Sequence, residues 1–165
     1  MMELPHQSQR RKIWIASDHA GFALKSEIQR LLLGYQWQDL GPIDPSGSVD
    51  YPDFAKTLGL EISRRNGNGE AALGILICGS GIGMSIAANK IPGIRAALVE
   101  NPVSARLSRE HNDANVLCLG SRFLAPEYGA EIARVWLETP FSGEKRHLLR
   151  VEKIRHLETS SEPQS

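Results

Sequence analysis

The sequence predicts a single doubly wound, Rossmann-like α/β domain: a five-stranded parallel sheet with helices on both faces and a C-terminal helix. Short apolar runs alternate with segments of helical character along the chain, the pattern of a parallel sheet wrapped by crossover helices. The run Leu73-Gly-Ile-Leu-Ile77 is continuous rather than alternating, which suits a strand buried on both faces. At 165 residues, 41% of them hydrophobic, the chain buries a core without metals or disulfides.

Taken in order, Lys12 to Ser17 reads as the first strand, Gly21 to Leu33 as the first helix and Gln36 to Leu40 as the second strand. Gly41-Pro-Ile-Asp-Pro-Ser-Gly-Ser48 is a punctuated loop. Pro52 opens a helix through about Arg65, which Gly67-Asn-Gly69 closes. Leu73 to Ile77 is the third strand, Gly83 to Lys90 the third helix and Ile94 to Val99 the fourth strand. Asn101-Pro102 supplies a cap and a first-turn proline, so Val103 to Glu110 is the fourth helix. Asn115 to Leu119 is the fifth strand, Pro126 to Glu138 the fifth helix, and Lys145 to about Leu157 the last helix. The domain then occupies 12–158, with a disordered polar leader, Met1 to Arg11, and a disordered polar tail from Thr159 to Ser165. Trp14, Trp37 and Trp136 fall inside elements and read as packing residues.

Nineteen basic residues balance nineteen acidic ones, so no broad field favours nucleic acid or an anionic membrane. A small-molecule partner fits better. Two cysteines, Cys78 and Cys118, make neither a disulfide framework nor a C-x-x-C metal pair, which points to a reduced, cytoplasmic setting. No signal-peptide core or long apolar span is present.

The chemistry concentrates at Cys78-Gly-Ser-Gly-Ile-Gly83, where a strand delivers one thiol to a loop of bare backbone amides ahead of a helix. Such a place favours negative charge, because unpaired N–H groups and the helix dipole converge on it. Both nucleotide readings weaken, since the third glycine of a dinucleotide fingerprint falls on Met84 and a Walker loop lacks its Gly-Lys-Ser/Thr. A cysteine phosphatase loop needs an arginine at that same Met84 position. Taken alone, Cys78 also suits a buried small hydrophobe beside a tight turn. Its place at a strand's C-terminal edge favours function, because ligands of open α/β sheets bind beyond those edges.

The same edge gathers Asp18-His19, an acceptor beside a titratable ring suited to acid/base work or anion capture. Asp18 alone equally suits a helix cap. Asp50-Tyr51-Pro52 suits either a helix start or a pocket wall. His111-Asn112 follows the fourth helix, where a histidine can serve simply as a dipole partner. Arg146 and Arg150 share a helix face and can converge on one phosphate, or can belong to a solvated basic face with Lys145, Lys153 and Arg155. Arg122, after Gly120-Ser121, carries the same two readings.

Together these motifs carry a resemblance. Ser17-Asp-His-Ala-Gly-Phe-Ala-Leu-Lys25, Asp50-Tyr-Pro52, Gly74-Ile-Leu-Ile-Cys-Gly-Ser-Gly-Ile-Gly83, Ala87-Ala-Asn-Lys90, Ser108-Arg-Glu-His-Asn-Asp113 and Asn115-Val-Leu117 resemble the ribose-5-phosphate isomerase B family, which includes galactose 6-phosphate and allose 6-phosphate isomerases. The match runs from about Lys12 to Leu157.

The resemblance implies aldose–ketose isomerisation of a sugar phosphate with no metal or organic cofactor. It makes Cys78 the base that moves a proton between C1 and C2, with the amides of Gly79, Gly81 and Gly83 and the Ser80 hydroxyl holding the enediolate oxygen. Asp18 and His111 would assist ring opening. His19, Arg146 and Arg150 would hold the phosphate, with Arg122 as a further contact, and Asp50 and Tyr51 would lie near the sugar. It also implies a homodimer, with a tetramer as the larger alternative, in which His111, Asn112 and Arg122 reach a neighbour's Cys78. Ribose 5-phosphate is the expected substrate, because the galactose-type enzymes divide their residues between two unlike subunits. A six-carbon sugar phosphate, a cysteine phosphocarrier and a non-catalytic sugar-phosphate sensor stand as alternatives.

Overall fold

The computed structural model describes residues 10–159. Their elements are β1 (Lys12–Ser17), α1 (Phe22–Leu31), β2 (Gln36–Asp39), α2 (Tyr51–Gly67), β3 (Gly74–Cys78), α3 (Ile82–Ala88), β4 (Ala96–Leu98), α4 (Pro102–Asn112), β5 (Val116–Gly120), α5 (Pro126–Glu138) and α6 (Lys145–Leu157). The strands form one sheet in the order β2-β1-β3-β5-β4, and every adjacent pair is parallel. β2 and β3 flank β1 on opposite sides, so the strand order reverses at the β1/β3 boundary. Ligands of doubly wound sheets settle at that boundary, beyond the carboxyl ends of the strands.

Strand periodicity sorts the apolar residues into two cores. Ile13, Ile15, Ile75, Ile77, Leu117 and Leu119 face α1 and α5, meeting Leu24, Ile28, Ile132 and Trp136. Trp14, Ala16, Leu76, Cys78, Val116 and Cys118 face α2 and α3, meeting Leu58, Ile62 and Met84. Each such aliphatic side chain contributes about 1.5–3 kcal/mol by leaving water. Trp136 is fully buried and Trp14 nearly so, while Trp37 packs partly buried at the edge of the first core.

Element boundaries differ from the sequence reading in ways that matter for function. β3 ends on Cys78 itself, so the thiol belongs to the last strand residue. α4 continues to Asn112, which places His111 and Asn112 in its final turn, and Asp113 ends the helix in the left-handed region at φ 45°. α2 begins at Tyr51 with Asp50 at its N-cap. β4 is shorter than expected, since the Ile94 amide turns back to the Ile91 carbonyl and pairing with β5 starts only at Ala96. α1 stops at Leu31, where the Leu32 amide closes on the Ile28 carbonyl.

Leader residues 1–9 and tail residues 160–165 lie outside the described residues. Arg10 and Arg11, assigned to the leader by sequence, donate to the Leu33 and Leu137 carbonyls at 2.8 and 3.1 Å.

Candidate active site

Glycine chemistry shapes the Cys78 loop. Gly81 adopts φ 75°, and a side chain there would also collide with Leu98 Cδ1 at 2.6 Å and the Leu119 backbone at 2.9 Å. That turn brings the Gly81 amide to the Cys78 sulfur, to which it donates at 3.1 Å. The Ile82 amide donates to Ser80 Oγ at 3.3 Å, while the Gly83 and Met84 amides of the first helical turn find no acceptor among the described residues. Cys78 is 4% exposed, packed at the edge of the second core with its sulfur against the Gly81 amide of this loop.

Neighbouring strand ends bring further groups to the same edge. The Asp18 amide donates to the Ile77 carbonyl at 3.0 Å, tying the chain after β1 to β3 one residue before the thiol. Asp18 Oδ1 accepts the Gly21 amide at 2.8 Å, so this carboxylate does shape the start of α1. His19 is exposed and its Nδ1 accepts the Val49 amide at 3.3 Å. With Nδ1 accepting, the neutral ring carries its proton on Nε2.

The Tyr51 ring lies against Gly83, in space that any side chain at 83 would occupy. The Arg122 guanidinium lies over Gly79, where an added Cβ would come within 2.8 Å of Cζ. Backbone bonds from Ser121 to Cys78 and from Arg122 to Gly79, at 2.9 and 3.0 Å, fasten the end of β5 to the loop. Ser121 Oγ donates to the Ala20 carbonyl at 2.9 Å and closes the ring of contacts back to β1. Asp18, His19, Tyr51, Cys78, Gly79, Ser80, Gly81, Gly83 and Arg122 are thus brought together within one chain. Arg122, expected to reach a neighbour's Cys78, instead lies over the loop of its own chain because the Arg122 amide is bound to the Gly79 carbonyl.

The remaining four predicted residues are not. α4 leaves the carboxyl edge after β4 and runs back across the domain, so His111 and Asn112 stand at the opposite edge, where Arg95 at the foot of β4 donates to the Asn112 carbonyl at 3.0 Å. There His111 stacks on His147 with centroids 4.2 Å apart. Together with Glu110, Pro140, Ser142 and Glu144 the two rings line a cavity of about 260 Å³. Arg146 and Arg150 flank His147 on α6; Arg146 pairs with Glu144 at 2.9 Å, and Arg150 has no ion-pair partner among the described residues. The predicted site residues of one chain therefore fall into two groups on opposite edges of the sheet.

With this arrangement in place, comparison with known proteins is decisive: the model of the Ribose/Galactose Isomerase family matches residues 13–154. The chain belongs to this family. A putative sugar phosphate isomerase of Bacillus subtilis is 47% identical over 149 residues, covering 89% of this chain and 97% of that protein. Ribose-5-phosphate isomerase B of Escherichia coli is 45% identical over 150 residues, with 90% and 97% coverage. A solved structure of ribose-5-phosphate isomerase B from Mycoplasma genitalium with bound ribulose-5-phosphate superposes at TM-score 0.85 and 41% identity, covering 94% of this chain and 100% of that one.

The isomerase also holds groups that sequence reasoning passed over. His147 lies between the two arginines that were singled out, yet it is the buried member of the trio and its Nδ1 meets Ser142 Oγ at 2.7 Å. Burial, then the neighbouring His111 and Arg146, hold its pKa below the ordinary histidine value. The available signal was helical phase: position 147 turns away from the exposed face shared by 146 and 150. Cys118 sits on β5 beneath the active loop, two residues before the partner of Cys78, and burial followed by the Cys78 charge pushes its thiol far up. No described helix of the isomerase is long and apolar enough to cross a membrane.

Proposed function

We propose that this isomerase interconverts ribose 5-phosphate and ribulose 5-phosphate, with Cys78 as the base. The observation that carries the reading is the Cys78 sulfur at the sheet's switch point, facing an amide loop with Asp18 and His19 at the adjoining strand end. In the opened sugar the Cys78 thiolate takes the C2 proton, the C–H electron pair becomes the C1=C2 bond, and the aldehyde oxygen gains the negative charge. Amides of the 79–83 loop and Ser80 stabilise that oxygen, at about 3–4 kcal/mol per well-placed donor. A proton passes from the C2 hydroxyl to the C1 oxygen, the C2–O bond becomes the carbonyl as the C1=C2 pair takes a proton back from the thiol at C1, and the ketose results. Asp18, with His111, moves protons between the ring oxygen and the anomeric hydroxyl. Asp50 and Tyr51 wall the sugar, and the Nε2–H of His19, with Arg146, Arg150 and Arg122, binds the phosphate.

In this reading the protein is a homodimer with shared sites, which the separation of the two residue groups on opposite edges supports. His111, Asn112, Arg146 and Arg150 of one copy complete the Cys78 loop of the other, and a tetramer would pair such dimers. Exposed Ile82 and Ile86 on α3, and Ile154 and Leu157 on α6, offer apolar surface for that contact. A reducing, cytoplasmic compartment keeps the two free thiols, Cys78 and Cys118, in working form.

Turnover of the purified protein on ribose 5-phosphate, allose 6-phosphate and galactose 6-phosphate, with solvent deuterium followed into the product, tests the reading. The five-carbon substrate should lead by about tenfold or more in kcat/KM. Parity or reversal would reassign the substrate. Binding without deuterium entry would make the protein a sensor.

A further inference from the structure

After Trp136, Lys25 is the largest side chain fully buried in the domain: a lysine whose side chain is 1% exposed. Lysine is almost never buried unless paired. Its Nζ donates to Asp39 Oδ1 at 2.8 Å and to the Pro42 carbonyl at 2.6 Å, and lies 5.2 Å from the centroid of the Phe22 ring. Asp39 Oδ1 also accepts the Gly41 amide at 2.8 Å, and Asp39 Oδ2 accepts from Gln29 at 3.3 Å. The Gly41 carbonyl in turn accepts the Ser17 amide at 3.0 Å, directly before Asp18 and His19. The segment continues through exposed residues to Val49, whose amide meets His19, and then to Asp50 and Tyr51. One enclosed charge thus fixes the near end of a loop whose far end contacts His19 and leads into Asp50 and Tyr51.

We propose that Lys25 is a positioning residue for catalysis: through Asp39 and the Pro42 carbonyl it sets the 41–50 segment that places His19, Asp50 and Tyr51 against the sugar phosphate. This rests on the isomerase reading given above. Lys25 touches no reacting atom, so its influence falls on binding and alignment, where small displacements are felt strongly.

The test uses the full-length protein with Lys25→Met and, separately, Asp39→Asn, which keeps a hydrogen-bonding side chain while removing the partner charge. Amide hydrogen exchange across 41–50 should rise by about tenfold or more, with β3 and β5 unchanged. On ribose 5-phosphate, KM should rise by about five- to tenfold with kcat held within about threefold. A lysine that merely fills the core predicts instead a lowered Tm, uniformly raised exchange and an unmoved KM, and that result overturns the proposal. So does exchange at 41–50 within about twofold of wild type in either variant that folds. Asp39 is partly exposed, so Asp39→Asn keeps the test decisive if Lys25→Met does not fold. Should the wild-type protein leave ribose 5-phosphate unchanged, the substrate reading fails while the exchange measurement still decides the role of Lys25.

Discussion

His111 and His147 stack with ring centroids 4.2 Å apart and planes tilted by 37°, at the end of α4 remote from Cys78. α4 has 11 residues and so spans about 16 Å, which sets the stacked pair apart from the thiol of its own chain. In the shared-site reading proposed above, a second copy brings it there.

Mixed dimers test that relation. Cys78→Ala and His111→Gln should each be inactive, but dissociating and re-forming them together should restore about a quarter of wild-type activity, since half the dimers are mixed and each carries one intact site. Failure to recover activity, with mixed dimers demonstrated by mass, would place both residues in one chain's site.

Removing the sulfur separates chemistry from binding. Cys78→Ala should lower kcat by about a thousandfold or more, while calorimetric affinity for the sugar phosphate changes by less than about fivefold. Near-normal turnover would remove Cys78 as the base.

The two thiols should differ in reactivity. Cys118 is fully enclosed and its pKa is pushed up by burial and then by the neighbouring Cys78, whereas the Cys78 sulfur meets the Gly81 amide at the sheet edge. Iodoacetamide should label Cys78 faster by about tenfold or more, and substrate should protect it. Peptide mass mapping reads both sites.

Gly81→Ala should damage fold and chemistry together. The positive φ of 75° and the contacts with Leu98 and Leu119 predict a loss of about 1–3 kcal/mol, a fall of about 5 °C in Tm, and reduced kcat through displacement of the amide that faces the sulfur. Differential scanning calorimetry with steady-state kinetics measures the pair of effects.

The buried His147 gives stability a pH dependence of defined sign. Its folded pKa lies below the ordinary value of 6.5, mainly through desolvation, so the folded state binds fewer protons than the unfolded chain. The contribution is complete above about pH 6.5 and is lost as pH falls from there through the lower folded value. Tm measured from pH 7.5 to 5 should therefore decline more steeply for wild type than for His147→Asn.

Most of the fold and the thiol's setting were legible in the chain, because they rest on local pattern. Continuous apolar runs mark strands covered on both faces, glycine spacing marks the turn after β3, and strands alternating with helices leave a parallel sheet as the economical topology. Those signals place Cys78, Asp18 and His19 on one edge. Other features depend on distances between segments far apart in sequence. That His111 and Arg146 lie on the opposite edge from Cys78, that His147 is enclosed while its neighbours are exposed, and that Lys25 holds the loop leading to His19 were decided by tertiary structure. A lysine in an amphipathic helix carries no mark of burial until the carboxylate and carbonyl that surround it arrive from other strands and loops. Local propensity is written in neighbouring residues, whereas desolvation and hydrogen-bond partnership exist only once the whole chain has closed.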